Sequence, residues 1–233
     1  KAKDGKYLLI FDKTPFYAES GGQVGDQGKI YSDSFEAKVL DVQKQKDIFI
    51  HTVEFEKGIA EENKTYKLEV DIVKRLDTAK NHTATHLLHK ALREVVGTHV
   101  QQAGSLVDSE KLRFDFSHYE ALTTEQLSKI EDIVSEKIRE GIEVAVSHHS
   151  IEEAKKLGAM MLFGDKYGDV VRVVDVPGFS TELCGGTHID NIGKIGLFKI
   201  VSEGGIAAGV RRIEAKTGYG AYLVEREEAN ILK

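Results

Sequence analysis

The sequence predicts an α+β protein with a mostly antiparallel sheet. Residues 6–70 hold short apolar or alternating runs separated by Gly, Asp and Asn, a pattern typical of β-strands. From Asp71 onward apolar residues recur at helical spacing, and later helices interrupt the strands without the regular βαβ order of a parallel sheet. This change of period predicts a β-rich domain over residues 1–70 and an α+β domain over residues 71–233.

The elements of the first domain follow from alternation. Strands are predicted at Tyr7–Phe11, Gly28–Val39, Ile48–Val53 and Tyr66–Val70. The second domain begins with a helix, because apolar residues from Val73 to Val95 return every three or four positions until Gly97 ends the run.

Strands and helices then mix along the second domain. Strands are predicted at His99–Leu106, Leu112–Phe116, Glu143–His148, Val170–Val174 and Leu197–Val201. Two capping boxes, Thr123-x-x-Gln126 and Ser150-x-x-Glu153, each mark the start of a helix. A last helix is predicted from about Ala221.

Composition narrows the class of protein. A single cysteine in 233 residues rules out an internal disulfide and indicates a reducing compartment. The chain has neither a signal peptide nor an apolar run long enough to span a membrane, so we expect a cytoplasmic protein without membrane contact. A net charge of −6 argues against a broad basic face for nucleic acid, although local clusters could contact a few phosphates. The missing initial Met and the helical end of the chain suggest an excised fragment.

Two short motifs carry the metal-binding chemistry, His82-Thr-Ala-Thr-His86 and Cys184-Gly-Gly-Thr-His188. On a helix, His82 and His86 share one face, which lies opposite the apolar stripe and must therefore contact a polar pocket or solvent. The only cysteine is followed by two glycines that permit a tight turn back to a histidine. Two nitrogens from a helix with a sulfur and a nitrogen from a loop suit Zn²⁺. His89 is a possible substitute ligand or a neighbour of the site.

Other catalytic motifs do not fit these residues. Thr83 occupies the position where a His-Glu-x-x-His metalloprotease needs its general base. A Cys–His hydrolase is also unattractive, since Cys184 and His188 lie in one tight loop without an evident orienting Asn or Asp.

The segment Glu19–Gly28 is rich in glycine but is not a phosphate-binding loop. It lacks Gly-Lys-Ser/Thr and does not join a strand to a helix. Two interpretations stay open, an ordinary series of β-turns and a loop whose backbone approaches a ligand or the zinc pocket. The second makes Gly21, Gly22 and Gly25 candidate substrate-binding residues.

Taken together, these motifs resemble the editing domains of alanyl- and threonyl-tRNA synthetases and the freestanding alanyl editing proteins. Further segments are similar to the alanyl group and its bacterial members: Ser20–Gly28, Thr98–Ser105, Leu112–His118, Phe163–Arg172 and Gly209–Gly218. The resemblance runs from about Leu9 to the end of the chain. Nothing in the chain matches an ATP-binding aminoacylation domain or the C-terminal domain, so we do not expect it to make alanyl-tRNA.

The resemblance implies a small β-barrel-like first part and an α+β editing core that deacylates Ser-tRNA(Ala) and Gly-tRNA(Ala). The partners it implies are the tRNA(Ala) acceptor end and the rest of the synthetase chain. Thr85 and Gln102 match positions that line the editing pocket, where Thr85 is the candidate partner of the serine hydroxyl and Gln102 could hold the ester or the terminal adenosine. The zinc ligands that it implies are His82, His86, Cys184 and His188.

Several alternatives stay open at this point. The protein could be a freestanding deacylase acting in trans or a non-catalytic, zinc-structured tRNA-binding module, whereas threonyl-type editing is disfavoured by the glycine-rich segment. Four protein ligands would close a tetrahedral zinc site, so the sequence does not separate a catalytic zinc from a structural one. Arg211 and Arg212 are the candidate tRNA contacts. Neighbouring residues on a strand point to opposite faces, so one of them is expected to meet RNA and the other to pair internally, with Glu214 as a candidate partner.

Overall fold

The computed structural model of the chain describes residues 5–161 and 168–231. The chain forms two compact units, Lys1–Leu76 and Asp77–Lys233, and the predicted boundary after residue 70 falls just before this division. The strands of each sheet pair antiparallel, which confirms the predicted α+β class. In the described ranges, no helix combines the length and the apolar character needed to cross a membrane.

The first unit is a five-stranded sheet in the order β1-β4-β3-β2-β5. Its strands are β1 (Tyr7–Ile10), β2 (Gly28–Tyr31), β3 (Glu36–Gln45), β4 (Ile48–Lys57) and β5 (Lys67–Val70). The first and last strands in this order are edges, so the described strands form an open sheet rather than a closed barrel. Its core gathers fully buried side chains such as Ile30, Phe35, Val39 and Val53.

The predicted run Gly28–Val39 forms two strands because the chain reverses between them. The backbone N–H of Ser32 donates to the carbonyl oxygen of Phe35 at 2.8 Å and closes this turn. Strand β3 then extends beyond the prediction to Gln45, since a register shift after Val39 turns Val42 toward the core and keeps the apolar face continuous.

The second unit contains two further sheets. A four-stranded sheet has the order β11-β12-β7-β6, and a three-stranded sheet has the order β10-β9-β8. The strands are β6 (Gln102–Val107), β7 (Leu112–Ser117), β8 (Ala145–Ser150), β9 (Val170–Val176), β10 (Ser180–Leu183), β11 (Phe198–Ala207) and β12 (Val210–Thr217). Strand β10 is absent from the sequence-based prediction, because it is four residues long and Leu183 is its only apolar residue.

The described part of the chain also has four α-helices: α1 (Ile72–Val95), α2 (Thr124–Glu140), α3 (Ile151–Lys156) and α4 (Gly218–Ile231). A short 3-10 helix spans Ile192–Ile195. Both predicted capping boxes are present, at the starts of α2 and α3. The side-chain oxygens of the N-cap residues thereby bind backbone N–H groups that have no partner inside the helix.

Helix α1 is buried on both its apolar and its polar face. Leu87, Leu88 and Leu92 are fully buried in the core that also contains the aromatic side chains of β7. On the other side His82 and His86 are 6% and 3% exposed, so protein atoms rather than solvent surround them. The core therefore fixes the side of the helix on which the histidines stand.

Candidate metal centre

Four side chains from two parts of the second unit converge on one point. His82 and His86 stand one turn apart on α1, Cys184 follows β10, and His188 lies four residues later. One donor atom from each residue lies within 4.8 Å of all the others. Sγ of Cys184 is 3.4 Å from Nε2 of His82 and 3.2 Å from Nε2 of His188. A tetrahedral Zn²⁺ separates sulfur and nitrogen ligands by about 3.6 Å, so these residues could hold a metal with little movement.

Arg172 of β9 holds the loop that carries Cys184. Its guanidinium donates from one nitrogen to the carbonyl oxygens of Cys184, at 2.7 Å, and Gly186, at 2.9 Å. The backbone N–H of Cys184 in turn donates to the carbonyl oxygen of Arg172 at 3.1 Å. Arg172 ends the segment Phe163–Arg172, whose residues 163–167 lie outside the described ranges. The loop is therefore fixed by polar contacts with β9.

Thr83 fixes the orientation of His188. Its hydroxyl donates to the carbonyl oxygen of Ala79 at 2.8 Å, so the oxygen is left to accept hydrogen bonds. It lies 3.1 Å from Nδ1 of His188 and 3.3 Å from the backbone N–H of Ile189. A proton on Nδ1 of His188 leaves the lone pair of Nε2 facing the cysteine sulfur, which is the tautomer that a metal ligand needs.

Glu182 is a buried member of the site that the sequence analysis missed. Its carboxylate lies on β10, 3.5 Å from Nδ1 of His86 and 3.2 Å from Nδ1 of His89. The hydroxyl of Ser180 donates to the same carboxylate at 3.3 Å. A signal for it does exist in the sequence, since Glu182 stands two positions before Cys184 and alternate residues of a strand share a face.

The charges around Cys184 and His188 favour the protonation states that metal binding needs. Burial raises the pKa of the Cys184 thiol, but the charge of His82 and the hydrogen bonds from His188 and His82 outweigh it and hold the pKa far below its usual value. Burial and the charge of His82 lower the pKa of His188 to about 3. Burial also disfavours charge on His86, yet the Glu182 carboxylate raises its pKa to about 9. The cluster thus contains a thiolate and a neutral His188, as metal ligation requires, whereas His86 has to release a proton when a metal binds.

The two predicted pocket residues occupy different elements of the second unit. Thr85 shares α1 with the histidines, is 4% exposed, and donates its hydroxyl to the carbonyl oxygen of Asn81 at 2.9 Å. Gln102 is the half-buried first residue of β6, opposite Phe116, and a register shift follows it. Contact of either residue with an aminoacyl ester stays a prediction.

Arg211 and Arg212 both have an internal partner, whereas the sequence analysis expected one for only one of them, and a contact of either with RNA stays a prediction. Arg211 binds both carboxylate oxygens of Glu203, with its terminal nitrogen at 2.9 Å. Arg212 binds both oxygens of Asp115 at 2.7 and 2.9 Å, directly across the β12–β7 ladder. The suggested partner Glu214 instead binds a lysine at 2.8 Å. The neighbouring strands β11 and β7 supply the carboxylates, which the sequence pattern could not reveal.

The three predicted glycines of the first unit each have a backbone reason. Gly21 and Gly22 have φ angles of 60° and 88° and form the turn between the paired residues Ser20 and Gln23. At Gly25 a Cβ atom would lie 2.6 Å from a backbone oxygen of β3. These observations favour the β-turn interpretation of the segment. A contact of these glycines with substrate stays a prediction.

Comparison with known families matches both units. Residues 171–214 match the family model described as the threonyl and alanyl tRNA synthetase second additional domain. Residues 1–74 match the model of class II (A) tRNA synthetases. The first match includes Arg172, Glu182, Cys184 and His188 of the cluster and its surroundings.

Individual relatives agree with these family models. A protein named alanine–tRNA ligase from Fusobacterium nucleatum subsp. nucleatum is 92% identical over 233 residues, which are 100% of this chain and 27% of that protein. Proteins of the same name from Listeria welshimeri and Bacillus cytotoxicus are 58% and 55% identical over 226 residues, 97% of this chain and 26% of each protein. The chain spans about a quarter of the length of the curated relatives it matches.

Proposed function

We propose, because this chain belongs to the alanyl-tRNA synthetase family, that it removes wrongly attached amino acids from tRNA(Ala). The proposed substrates are Ser-tRNA(Ala) and Gly-tRNA(Ala). The observation that carries the proposal is the buried group of donor atoms in the second unit, from His82, His86, Cys184 and His188. Two of these four residues lie within the match to the second additional domain.

The chemistry of alanine selection supports the need for such an activity. A pocket sized for alanine cannot exclude the smaller glycine, and it rejects an added hydroxyl only weakly, so serine also enters. A second site then corrects the error by hydrolysis. Water adds to the carbonyl carbon of the ester, the bond to the terminal ribose oxygen breaks, and the amino acid and uncharged tRNA leave.

Zinc is the proposed metal of this site. One thiolate with three imidazoles is a donor set that zinc favours, and the observed separations fit its tetrahedral bond lengths. Bound there, zinc would join α1 to the Cys184 loop and supply Lewis acidity to a carbonyl oxygen within its reach. The chain itself prepares the site, since Thr83 orients His188 and Arg172 holds the loop.

Thr85 is the proposed reader of the serine side chain. Its hydroxyl proton is already donated to the carbonyl oxygen of Asn81, so the oxygen keeps its lone pairs for a ligand. A serine hydroxyl can donate to that oxygen, whereas glycine offers nothing. Gln102 is the proposed residue that holds the ester or the terminal adenosine through its amide.

The proposed partner is the acceptor end of tRNA(Ala), approached together with the remaining length of the synthetase chain. Arg212 is the better candidate for a phosphate contact, because its side chain is 34% exposed whereas that of Arg211 is 14% exposed. The proposed contacts of the tRNA acceptor end also include Gly21, Gly22 and Gly25. The cytoplasm is the proposed location.

The decisive experiment measures deacylation by the full-length synthetase that carries this chain. We expect hydrolysis of Ser-tRNA(Ala) and Gly-tRNA(Ala), little hydrolysis of Ala-tRNA(Ala), and loss of the hydrolysis in Cys184→Ser. Alanine activation by the same Cys184→Ser preparation is the control for intact protein. Absence of hydrolysis with wild-type protein, together with tight tRNA binding, would favour the zinc-structured binding module. Hydrolysis by the 233-residue chain alone, added in trans, tests the freestanding alternative.

A further inference from the structure

Glu182 is a buried carboxylate without a permanent cation. It is 1% exposed, and within the described residues no lysine or arginine forms an ion pair with it. Removing an isolated carboxylate from water is unfavourable, so its partners must stabilise the charge at this position. Its partners are two imidazoles of α1 and the hydroxyl of Ser180. A buried charge with such partners points to a role beyond packing.

The two carboxylate oxygens meet two different histidines. Oε2 lies 3.5 Å from Nδ1 of His86, and Oε1 lies 3.2 Å from Nδ1 of His89. A carboxylate only accepts hydrogen bonds, so each imidazole has to present an Nδ1–H group to it. His86 then keeps the lone pair of Nε2 for a metal. Nε2 of His89 is buried with no hydrogen-bond partner among the described residues.

We propose that Glu182 is a positioning residue that orients His86 for the metal and uses His89 as its second anchor on α1. The inference rests on the metal site of the proposed function and assigns two residues that lie outside the four candidate ligands. His86 and His89 are three residues apart on α1 and therefore lie on the same face of the helix. A single carboxylate from β10 can bind both and so fix α1 against the strand that leads to Cys184. A partner of this kind also raises the basicity of the ligating imidazole.

An amide cannot replace this carboxylate. The side chain of glutamine has the same shape, but only its oxygen accepts, whereas its NH₂ group would face the second Nδ1–H group. One of the two histidines would therefore rotate or change tautomer. The arrangement predicts that Glu182→Gln weakens the metal site although the fold and the four ligands are retained.

The experiment measures zinc affinity in the full-length synthetase by competition with a chromophoric chelator. We expect Glu182→Gln to weaken zinc binding about 10- to 100-fold. His89→Phe keeps an aromatic ring next to Phe114, whose ring centroid lies 5.1 Å from that of His89. This variant removes only one of the two histidines that Glu182 binds, so its loss of zinc affinity should be smaller. The matched control is Glu131→Gln, a half-buried carboxylate of α2 that accepts from the backbone N–H of Ile200 at 2.6 Å. It should bind zinc as the wild type does.

The visible spectrum of the Co²⁺-substituted proteins separates orientation from stability. At saturating Co²⁺, Glu182→Gln should shift the ligand-field bands, whereas Glu131→Gln should leave them unchanged even if it lowers the melting temperature. Wild-type zinc affinity and spectrum in both Glu182→Gln and His89→Phe would overturn the inference while the proposed function stands. A wild-type protein that binds no zinc would overturn both. If Glu182→Gln fails to fold, His89→Phe alone decides, and unchanged affinity there rejects the role.

Discussion

Two glycine pairs, one in each unit, look alike in the sequence, but they differ in backbone conformation and in the contacts that fix their loops. Gly21 and Gly22 adopt left-handed backbone conformations, so their presence follows from the geometry of a turn. Gly185 and Gly186 lie outside that region, and a Cβ atom at Gly185 would meet no atom within 4 Å. The second loop is fixed instead by the guanidinium of Arg172 and by the side chains of the cluster.

The comparison of these two glycine pairs shows when a glycine-rich segment indicates a functional site. In the first unit the left-handed backbone conformation accounts for Gly21 and Gly22, and no ligand is needed to explain them. In the second unit neither glycine has a left-handed backbone, but the residues on either side, Cys184 and His188, converge with two helix histidines. The companion residues, rather than the glycines, indicate a functional site. Substitutions on the two sides of this comparison should therefore have different consequences.

The largest effect is expected from Cys184→Ala. Removing the thiolate leaves three nitrogen donors, and the zinc content should fall from about one ion per chain to nearly none. Elemental analysis of freshly purified full-length protein measures this. Full zinc occupancy in the variant would remove Cys184 from the ligand set, and a zinc-free but fully active wild type would remove the metal from the mechanism.

Gly25→Ala should destabilise the first unit. Its new methyl group would lie 2.6 Å from a backbone oxygen of β3, and such overpacking typically costs about 1–3 kcal/mol. Urea unfolding followed by circular dichroism measures the free energy of unfolding. Zinc binding by the folded variant should be normal. A variant with normal stability but impaired deacylation would break the comparison and favour a ligand contact in this segment.

Thr85→Val should change selectivity within the second unit. The substitution keeps the shape of the side chain and leaves the serine hydroxyl without its acceptor, at a cost of about 1–3 kcal/mol or roughly five- to a hundredfold in rate. Hydrolysis of Gly-tRNA(Ala) should fall much less. The rates on both substrates, measured side by side, test this. Because the hydroxyl already binds Asn81, equal losses on both substrates would assign Thr85 to helix packing.

Arg212→Gln should weaken tRNA binding modestly. Loss of one phosphate contact lowers the slope of log affinity against log salt by about 0.9. Titrations of tRNA binding at several salt concentrations measure the slope, with Arg211→Gln as the matched variant of the less exposed arginine. An unchanged slope in both variants would show that the two arginines serve only their ion pairs with Glu203 and Asp115 and do not contact tRNA.

The smallest effect is expected from Gly185→Ala. The position is exposed and has free space around it, so stability should change by less than about 0.5 kcal/mol. Zinc affinity should stay at the wild-type value. Gly21→Ala, by contrast, forces a side chain into a left-handed conformation and should cost about 1 kcal/mol. A large effect at Gly185 would show that the second loop also depends on its glycines.

Much of the fold was predictable from period and capping signals. Alternation located the strand regions of the first unit, although it joined β2 and β3 into one strand, and the two capping boxes located α2 and α3. The convergence of the two His- and Cys-containing motifs was also predictable, since their donor types and spacings are typical of a metal site. The four ligand candidates do meet in the structure.

The remaining parts depend on contacts between distant residues. Glu182 was missed because its position two residues before Cys184 is only a weak signal, and its contacts with His86 and His89 depend on how α1 lies beside β10. The partners of Arg211 and Arg212 come from two other strands, β11 and β7, and their register cannot be deduced from one strand's pattern. Thr83 appeared only as a residue that excludes a metalloprotease. Its hydrogen bonds to the second motif depend on tertiary structure.

The separation of the two motifs along the chain sets the order in which the centre can be built during synthesis. Cys184 and His82 are 102 residues apart, so the ribosome releases α1 long before the sulfur exists. Before Cys184 is made, the growing chain contains only two of the four candidate ligands, His82 and His86, and such a pair binds a metal weakly. Closing so long a loop also carries a large entropic cost that the finished fold must already have met. The four candidate ligands therefore come together late in folding, after both motifs have been synthesised.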